Sequence, residues 1–322
     1  MRITQVAVGM IVWLLATAAL AADLDLQAVA VTVGNEPINV GQVERERKRL
    51  SPELPADTAA AEEMRATALD ACIRRALVLQ ELTRLKKAAS EADVDQAIAR
   101  LKKQLAEREM RWEDYLQKVS LSDNDLRTEV RWGLSWDAYL QEQLTEGNLQ
   151  RYFQKHARQF DGTELRVAHL LLKAEPGSDR ATLDKLRASA EAIRRDIASG
   201  TLTFAEAAAR HSASPTANQG GDIGYIARRQ PMPEAFSQAA FQLERGQISA
   251  PVETSFGIHL ITCLDSKPGN VAWTEVREEL RRDMTRYLFD WLADRRAKDA
   301  RVSFTGSYPY HDPLSRSVVR PR

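Results

Sequence analysis

Two histidines lie in short apolar stretches that alternate as strands do, His169 in "LRVAHLLLK" and His259 in "GIHLITCLD", with a small hydroxyl, Ser214, between them in "SASPTANQGGDIGY". Imidazoles and a hydroxyl can pass protons, ligate a metal or form a base and nucleophile, and their neighbours decide which. The chain has no Gly-x-x-x-x-Gly-Lys, no Gly-x-Gly-x-x-Gly after a strand, no His-Glu-x-x-His and no Gly-x-Ser-x-Gly. Nucleotide, zinc-protease and α/β-hydrolase chemistries therefore lose their usual support. None of the five histidines, His156, His169, His211, His259 and His311, has the three- or four-residue helical spacing that preassembles a metal site, so no metal is expected. Taken singly, a strand histidine is more often a structural core residue, and Ser214 is as readily a turn former as a hydrogen-bond donor.

The elements that must hold these residues are legible in the pattern around them. At 322 residues the chain is long enough for more than one folding unit. Lys plus Arg and Asp plus Glu each number 45, so no overall field draws in nucleic acid or an anionic membrane. Residues 1–22, with Arg2, an apolar run from Val6 to Leu20 and small Ala19 and Ala21, read as a signal peptide cleaved near Ala22 rather than as an anchor. Export permits a disulfide, but Cys72 and Cys263 sit far apart in apolar segments and read as two core thiols.

"AVAVTVGNEPI" suggests a strand and turn leading into a helix, after which helices dominate to about residue 160. Ser90 with Asp93 forms a capping box ahead of Val94, Ile98, Leu101 and Leu105, while Ser122 and Thr145 cap two more helices, the first marked by Leu126, Val130, Leu134 and Leu144. The pattern then changes. Residues 161–267 alternate strands and helices: Leu165, Val167, His169 and Leu171 share a strand face, and Thr203 with Glu206 is a second capping box. A long helix follows Pro268 and Gly269, its stripe set by Val276, Leu280, Met284, Tyr287 and Trp291, and "RVSF" is placed to pair beside the first strand. The last 18 residues, rich in proline and arginine, read as a disordered tail.

The segments "VAHLLLK", "HSASPTANQGGDIGY", "PEAFSQAAFQL" and "GQISAPVETSFGIHLI" resemble, in order and spacing, the parvulin family of peptidyl-prolyl cis/trans isomerases. With the leader, the helical region containing "RWEDYLQKVSLSDNDLR" and the closing helix, the whole arrangement resembles secreted chaperone-isomerases of the SurA and PpiC kind. The resemblance implies an α+β fold: a parvulin domain, a small antiparallel sheet with surrounding helices, joined to an α-helical chaperone-like lobe. The implied layout is a signal peptide at 1–22, a helical chaperone-like domain at 23–160, the parvulin domain at 161–267, a C-terminal helix at 268–304 packing on the N-terminal lobe, and a tail at 305–322.

It also implies a catalytic set of His169, Ser214 and His259, and a substrate set of Ile223, Met232, Phe236, Thr254 and Phe256, with the proline ring held by the first three. Parvulins usually carry cysteine or aspartate where this chain has Ser214, which leaves that position neutral. "GGDIGY" becomes the turn that brings Ile223 to the proline, and Asp222 is expected to bond nearby backbone amides. Isomerisation breaks no bond and needs no cofactor. The implied partners are unfolded or proline-containing exported polypeptides, with no nucleic acid and no membrane anchor once the signal is removed, in the periplasm or an equivalent extracytoplasmic space. Phosphopeptides are not expected, because no basic cluster follows the first parvulin strand. The alternative is a catalytically weak holdase that uses the parvulin domain as a peptide-binding module.

Overall fold

A computed structural model describes residues 24–119, 121–175, 177–229, 231–315 and 317–321. The expected signal peptide lies outside the described residues. The chain divides into two units, residues 1–141 with 287–322 and residues 142–286.

The first unit opens with β1 (Val29–Val33) and β2 (Glu36–Asn39), an antiparallel pair turning at Gly34. Asn39 ends β2 and forms a capping box with Gln42 that starts α1 (Val40–Leu50). Then come α2 (Thr58–Arg84), α3 (Glu91–Ala106), α4 (Trp112–Val119) and α5 (Asp123–Gln143). The Ser90–Asp93 box and the Ser122 cap are both formed, and Val94 and Ile98 pack with Leu126 against Trp112, Tyr115 and Leu116. Leu134 is exposed, and the helix buries Ser135 and Tyr139 instead.

The second unit holds α6 (Glu146–Lys155), β3 (Glu164–Lys173), α7 (Arg180–Ala198), α8 (Phe204–His211), β4 (Asp222–Ala227), α9 (Glu234–Ala240), β5 (Val252–Thr254) and β6 (Gly257–Lys267). Its sheet is antiparallel in the order β4-β3-β6-β5. Because side chains alternate across a strand, β3 and β6 build two cores at once. Leu170, Ile258 and Leu260 face Ala190, Ile193 and Ala207 of α7 and α8. Leu165, Val167, Ile261 and Cys263 face Phe236, Ala240 and Phe241 on and just after α9. Both histidines belong to this second face.

The chain then forms α10 (Arg277–Ala297) and the strands β7 (Val302–Phe304), β8 (Tyr310–His311) and β9 (Val318–Val319). β7 pairs antiparallel with β1, so a three-stranded sheet, with the separate β8–β9 pair, completes the mostly helical first unit. The boundaries between the two compact units fall inside α5 and α10. Thus α6 joins the second unit, where the Tyr152 hydroxyl donates to Asp283 at 2.8 Å and Arg281 reaches the Leu144 carbonyl at 3.3 Å. The residues from Tyr287 onward join the first unit, where Phe289 packs edge-on to Trp132 and Trp136 of α5. The buried stripe of α10 is Leu280, Met284, Leu288 and Leu292; Tyr287 and Trp291 are exposed.

Residues 305–315 and 317–321 are not a disordered tail. Thr305 and Ser307 donate to the Val29 carbonyl, and Tyr308, fully buried, donates its hydroxyl at 2.7 Å to Glu44, which also takes Arg47 and Arg65. A proline- and arginine-rich composition reads as disorder, yet a deeply buried tyrosine, two short strands and the docking of His311 together order it. His311 places Nδ1 2.6 Å from Asp70 and Nε2 3.0 Å from Glu63, both on α2, while Arg320 meets Glu62 at 2.7 Å. Two carboxylates can be satisfied together only by an imidazolium, and they hold this ring above its ordinary pKa against the opposing effect of burial. The stabilisation is complete below the unfolded-state pKa and is lost as pH rises through the folded one. Hydrogen exchange at residues 309–319, corrected for intrinsic rates, is expected to accelerate across that window in the wild type and to be fast at every pH in His311→Ala.

Candidate functional site

β3 and β6 run antiparallel with His169 opposite Ile261 and Leu171 opposite His259, so the two histidines are diagonal neighbours on one face. Their rings stack 5.5 Å apart at 17°, with the two Nδ1 atoms 3.3 Å apart. Phe236 stands edge-on to both rings, 5.6 Å from His169 and 5.4 Å from His259. Each histidine then has a hydroxyl at its far nitrogen: Ser214 Oγ lies 2.8 Å from His169 Nε2, and Thr254 Oγ1 lies 2.8 Å from His259 Nε2.

Ser214 is delivered by the segment after α8, which pairs with β3 through Ala213 N–H to the Leu171 carbonyl and Leu171 N–H to Ser212 Oγ. Thr216, which the sequence pattern did not single out, extends the chain with its hydroxyl 3.1 Å from Ser214 Oγ. Its only signal was a second hydroxyl two residues further along "SASPT". At the other end Thr254 closes β5, and its Oγ1 accepts the Phe256 N–H at the tip of the hairpin into β6. The result is a line of hydroxyl, hydroxyl, imidazole, imidazole, hydroxyl.

The turn glycines make this geometry possible. His169 N–H donates to the Gly221 carbonyl at 2.9 Å, and Gly221 has φ +81°. A Cβ there would stand 2.3 Å from the His169 carbonyl oxygen. The close approach therefore requires glycine, both for space and for conformation. Asp222 follows, with one oxygen accepting the Gly224 N–H at 2.8 Å and the other taking Arg166, whose guanidinium holds the carboxyl below its usual range. It does not reach the histidines.

Of the residues expected to line a substrate pocket, Ile223 and Met232 are partly buried and pack on the apolar cluster. Phe236 has no exposed surface; in this conformation it is the support beneath the imidazoles, not an open wall. Phe256, at the tip of the β5–β6 hairpin, is 58 % exposed. Among the described residues no group of three or more His, Cys, Asp or Glu is arranged to hold a metal ion, and Cys72 and Cys263 are free thiols.

Burial disfavours charge on both rings. It lowers the pKa of His169 and, with the neighbouring His169 adding to it, brings His259 down to about 4. At neutral pH both rings are uncharged, and the line then admits two proton arrangements. If His169 Nδ1–H donates to His259 Nδ1, Ser214 must donate to His169 Nε2, and His259 Nε2–H donates to Thr254, leaving the Thr254 proton free. In the reverse arrangement Thr254 donates to His259 and His169 Nε2–H donates to Ser214, whose own proton is then available to Thr216 or to a ligand. The pair can therefore offer a hydroxyl donor at one end or the other without ever becoming charged.

The comparisons with known proteins fall on the same segments. Residues 169–265 match the family model described as the PPIC-type PPIase (rotamase) domain, and residues 2–140 match the SurA-like N-terminal domain. Chaperone SurA of Shigella dysenteriae is 38% identical over 143 residues, 42% of this chain and 32% of the relative. Chaperone SurA of Salmonella choleraesuis is 45% identical over 106 residues, 33% of this chain and 24% of the relative, so the chain spans a third or less of these curated relatives. A crystal structure of the peptidylprolyl isomerase PrsA from Bacillus anthracis aligns over 71% of this chain and 95% of its own, at 23% identity and a TM-score of 0.30. Family model and imidazole pair coincide within residues 169–265: the chain carries a PPIC-type rotamase domain of the parvulin family of peptidyl-prolyl isomerases, following a SurA-like N-terminal domain.

Proposed function

We propose that this protein catalyses cis/trans isomerisation of Xaa–Pro bonds in partly folded exported polypeptides, at the face where His169 and His259 meet. The observation that carries this reading is the uncharged imidazole pair terminated by Ser214 and Thr254 beside an apolar cluster.

A prolyl amide resists rotation by about 18–20 kcal/mol because twisting breaks its resonance. In the twisted state the carbonyl loses negative charge and the nitrogen regains its lone pair. Water favours the planar, charge-separated form, so an apolar seat for the ring lowers the barrier by withholding it. Ile223 and Met232 provide that seat, Phe236 backs it, and Phe256 bounds it on the solvent side. A neutral hydroxyl, from Ser214 or Thr254 according to the imidazole tautomer, donates to the nitrogen lone pair as it appears. Bringing an exchange of about a hundred seconds to about a millisecond requires about 7 kcal/mol, mostly from desolvation and shape. No covalent intermediate is involved.

The experiment is a protease-coupled assay on an Xaa–Pro peptide. Ser214→Ala is expected to lower kcat/KM about tenfold, the loss of one neutral hydrogen bond in the transition state. Ser214→Asp is expected to raise the histidine pKa values and to make the rate depend on pH near neutrality. No rate above background for the wild type would exclude the enzymatic reading.

A second role is supported by the SurA-like match over residues 2–140. The first unit then holds unfolded clients while the parvulin domain works on their prolines. Suppression of client aggregation that survives deletion of residues 163–267 would identify this holding function as separate. The leader pattern of residues 1–22 supports an extracytoplasmic site of action. No helix among the described residues is long and apolar enough to cross a membrane.

A further inference from the structure

Between the end of β4 and the start of α9, two consecutive arginines are each held by a glutamate. Arg228 places Nη1 3.0 Å and Nη2 2.6 Å from the two oxygens of Glu234, a bidentate pair whose arginine side chain is only 11% exposed. Arg229 meets Glu279 of α10 through Nε at 2.8 Å and Nη2 at 2.6 Å, and is 57% exposed. Glu234 is the first residue of α9, two positions after Met232 and two before Phe236. The N-cap of this helix is Pro233, which makes no side-chain cap. The buried Phe236 anchors the first turn of this seven-residue helix from within, but no cap ties the chain that leads into it. The Arg228–Glu234 pair supplies that tie, and Met232 lies between its two members.

We infer that Arg228 and Glu234 are a positioning pair that sets where Met232 lies on the apolar cluster, and through it the affinity of the site for proline. Methionine has three rotatable side-chain bonds and adapts to whatever backbone carries it, so its placement has to come from elsewhere. The pair acts through the partly buried Met232 and touches neither imidazole. The fork geometry is specific to arginine; lysine keeps the charge and loses the second contact. Arg228 is held above and Glu234 below its ordinary pKa, each by the hydrogen bond to the other, so the pair stays ionised across the neutral range.

The affinity claim rests on the proposed isomerase reading, and the test separates the two. In the full chain, Arg228→Lys and Glu234→Gln are each expected to raise KM for an Xaa–Pro peptide about fivefold with kcat changed less than about twofold. The double variant is expected to match either single one, because the two residues act as a unit. Arg229→Lys, at the exposed pair, is expected to leave both constants unchanged. Methyl-labelled methionine gives a readout independent of turnover: the Met232 resonance moves in Arg228→Lys while the His169 and His259 ring resonances stay in place. An inactive wild type whose Met232 signal still moves on substitution would remove the isomerase reading and keep the positioning. A stationary Met232 signal, or kcat and KM changing together in proportion to lost stability, would overturn the inference.

Discussion

Phe236→Ala is expected to destabilise the parvulin unit by about 3–5 kcal/mol and to lower kcat/KM by at least about a hundredfold at a temperature where the unit remains folded. The stability loss follows from burial: the ring has no exposed surface and packs with Leu165, Val167, Ile226 and Ile261. The activity loss has a separate cause. Phe236 meets both imidazoles edge-on and excludes water from them. Opening that space hydrates the rings, restores their ordinary pKa values and loosens the diagonal pair. Phe236→Leu keeps most of the volume and is expected to cost less than about 2 kcal/mol while still lowering activity, because the edge-on contact is gone. Chemical unfolding followed through the two histidine ring resonances measures the first effect, and peptide turnover the second. Equal activity in the leucine variant and the wild type would show that the aromatic edge has no part in the site.

Gly221→Ala is the second large effect. Its Cβ would meet the His169 carbonyl oxygen at 2.3 Å, and the residue holds φ +81°. The left-handed conformation alone costs a non-glycine residue about 1–2 kcal/mol, and relieving the contact displaces β3 at His169 itself. A total loss of about 3 kcal/mol or more is expected, together with broadening of the His169 signals. Gly220→Ala is the internal control. Its φ is also positive, at +68°, but its nearest neighbour would be the Ala205 Cβ at 3.0 Å, on a small side chain outside the site. It is expected to cost less and to leave His169 unchanged. If the two variants behaved alike, the backbone approach at residue 221 would not be what fixes the histidine.

Local chemistry was the most legible part of this fold. The boxes at Ser90–Asp93 and Thr203–Glu206, and the caps at Ser122 and Thr145, all form as read, because a cap is decided within four residues. Alternation placed His169 on a strand face, and the resemblance to a known family joined it to His259 and Ser214. Tertiary features were harder. The stripe of α10 was read one face away at Tyr287 and Trp291, since an amphipathic pattern with aromatics on both sides of the seam has no unique reading. The C-terminal residues looked disordered by composition, yet they dock through single side chains, Tyr308 and His311, that composition cannot weigh. Thr216 offered only a second hydroxyl two residues past Ser214, and the Arg228–Glu234 pair carries no local signature; the turn that folds the chain back makes that pair neighbours.

Exchange spectroscopy of an Xaa–Pro peptide mixed with the intact chain, at successive pH values, tests whether an uncharged imidazole pair turns over a prolyl bond. Catalysed cis/trans exchange is expected to be level around neutrality and to decline as pH falls toward about 4, where His259 takes a proton. Exchange no faster than in the free peptide at pH 7, or a rate that rises as the histidines protonate, would contradict it.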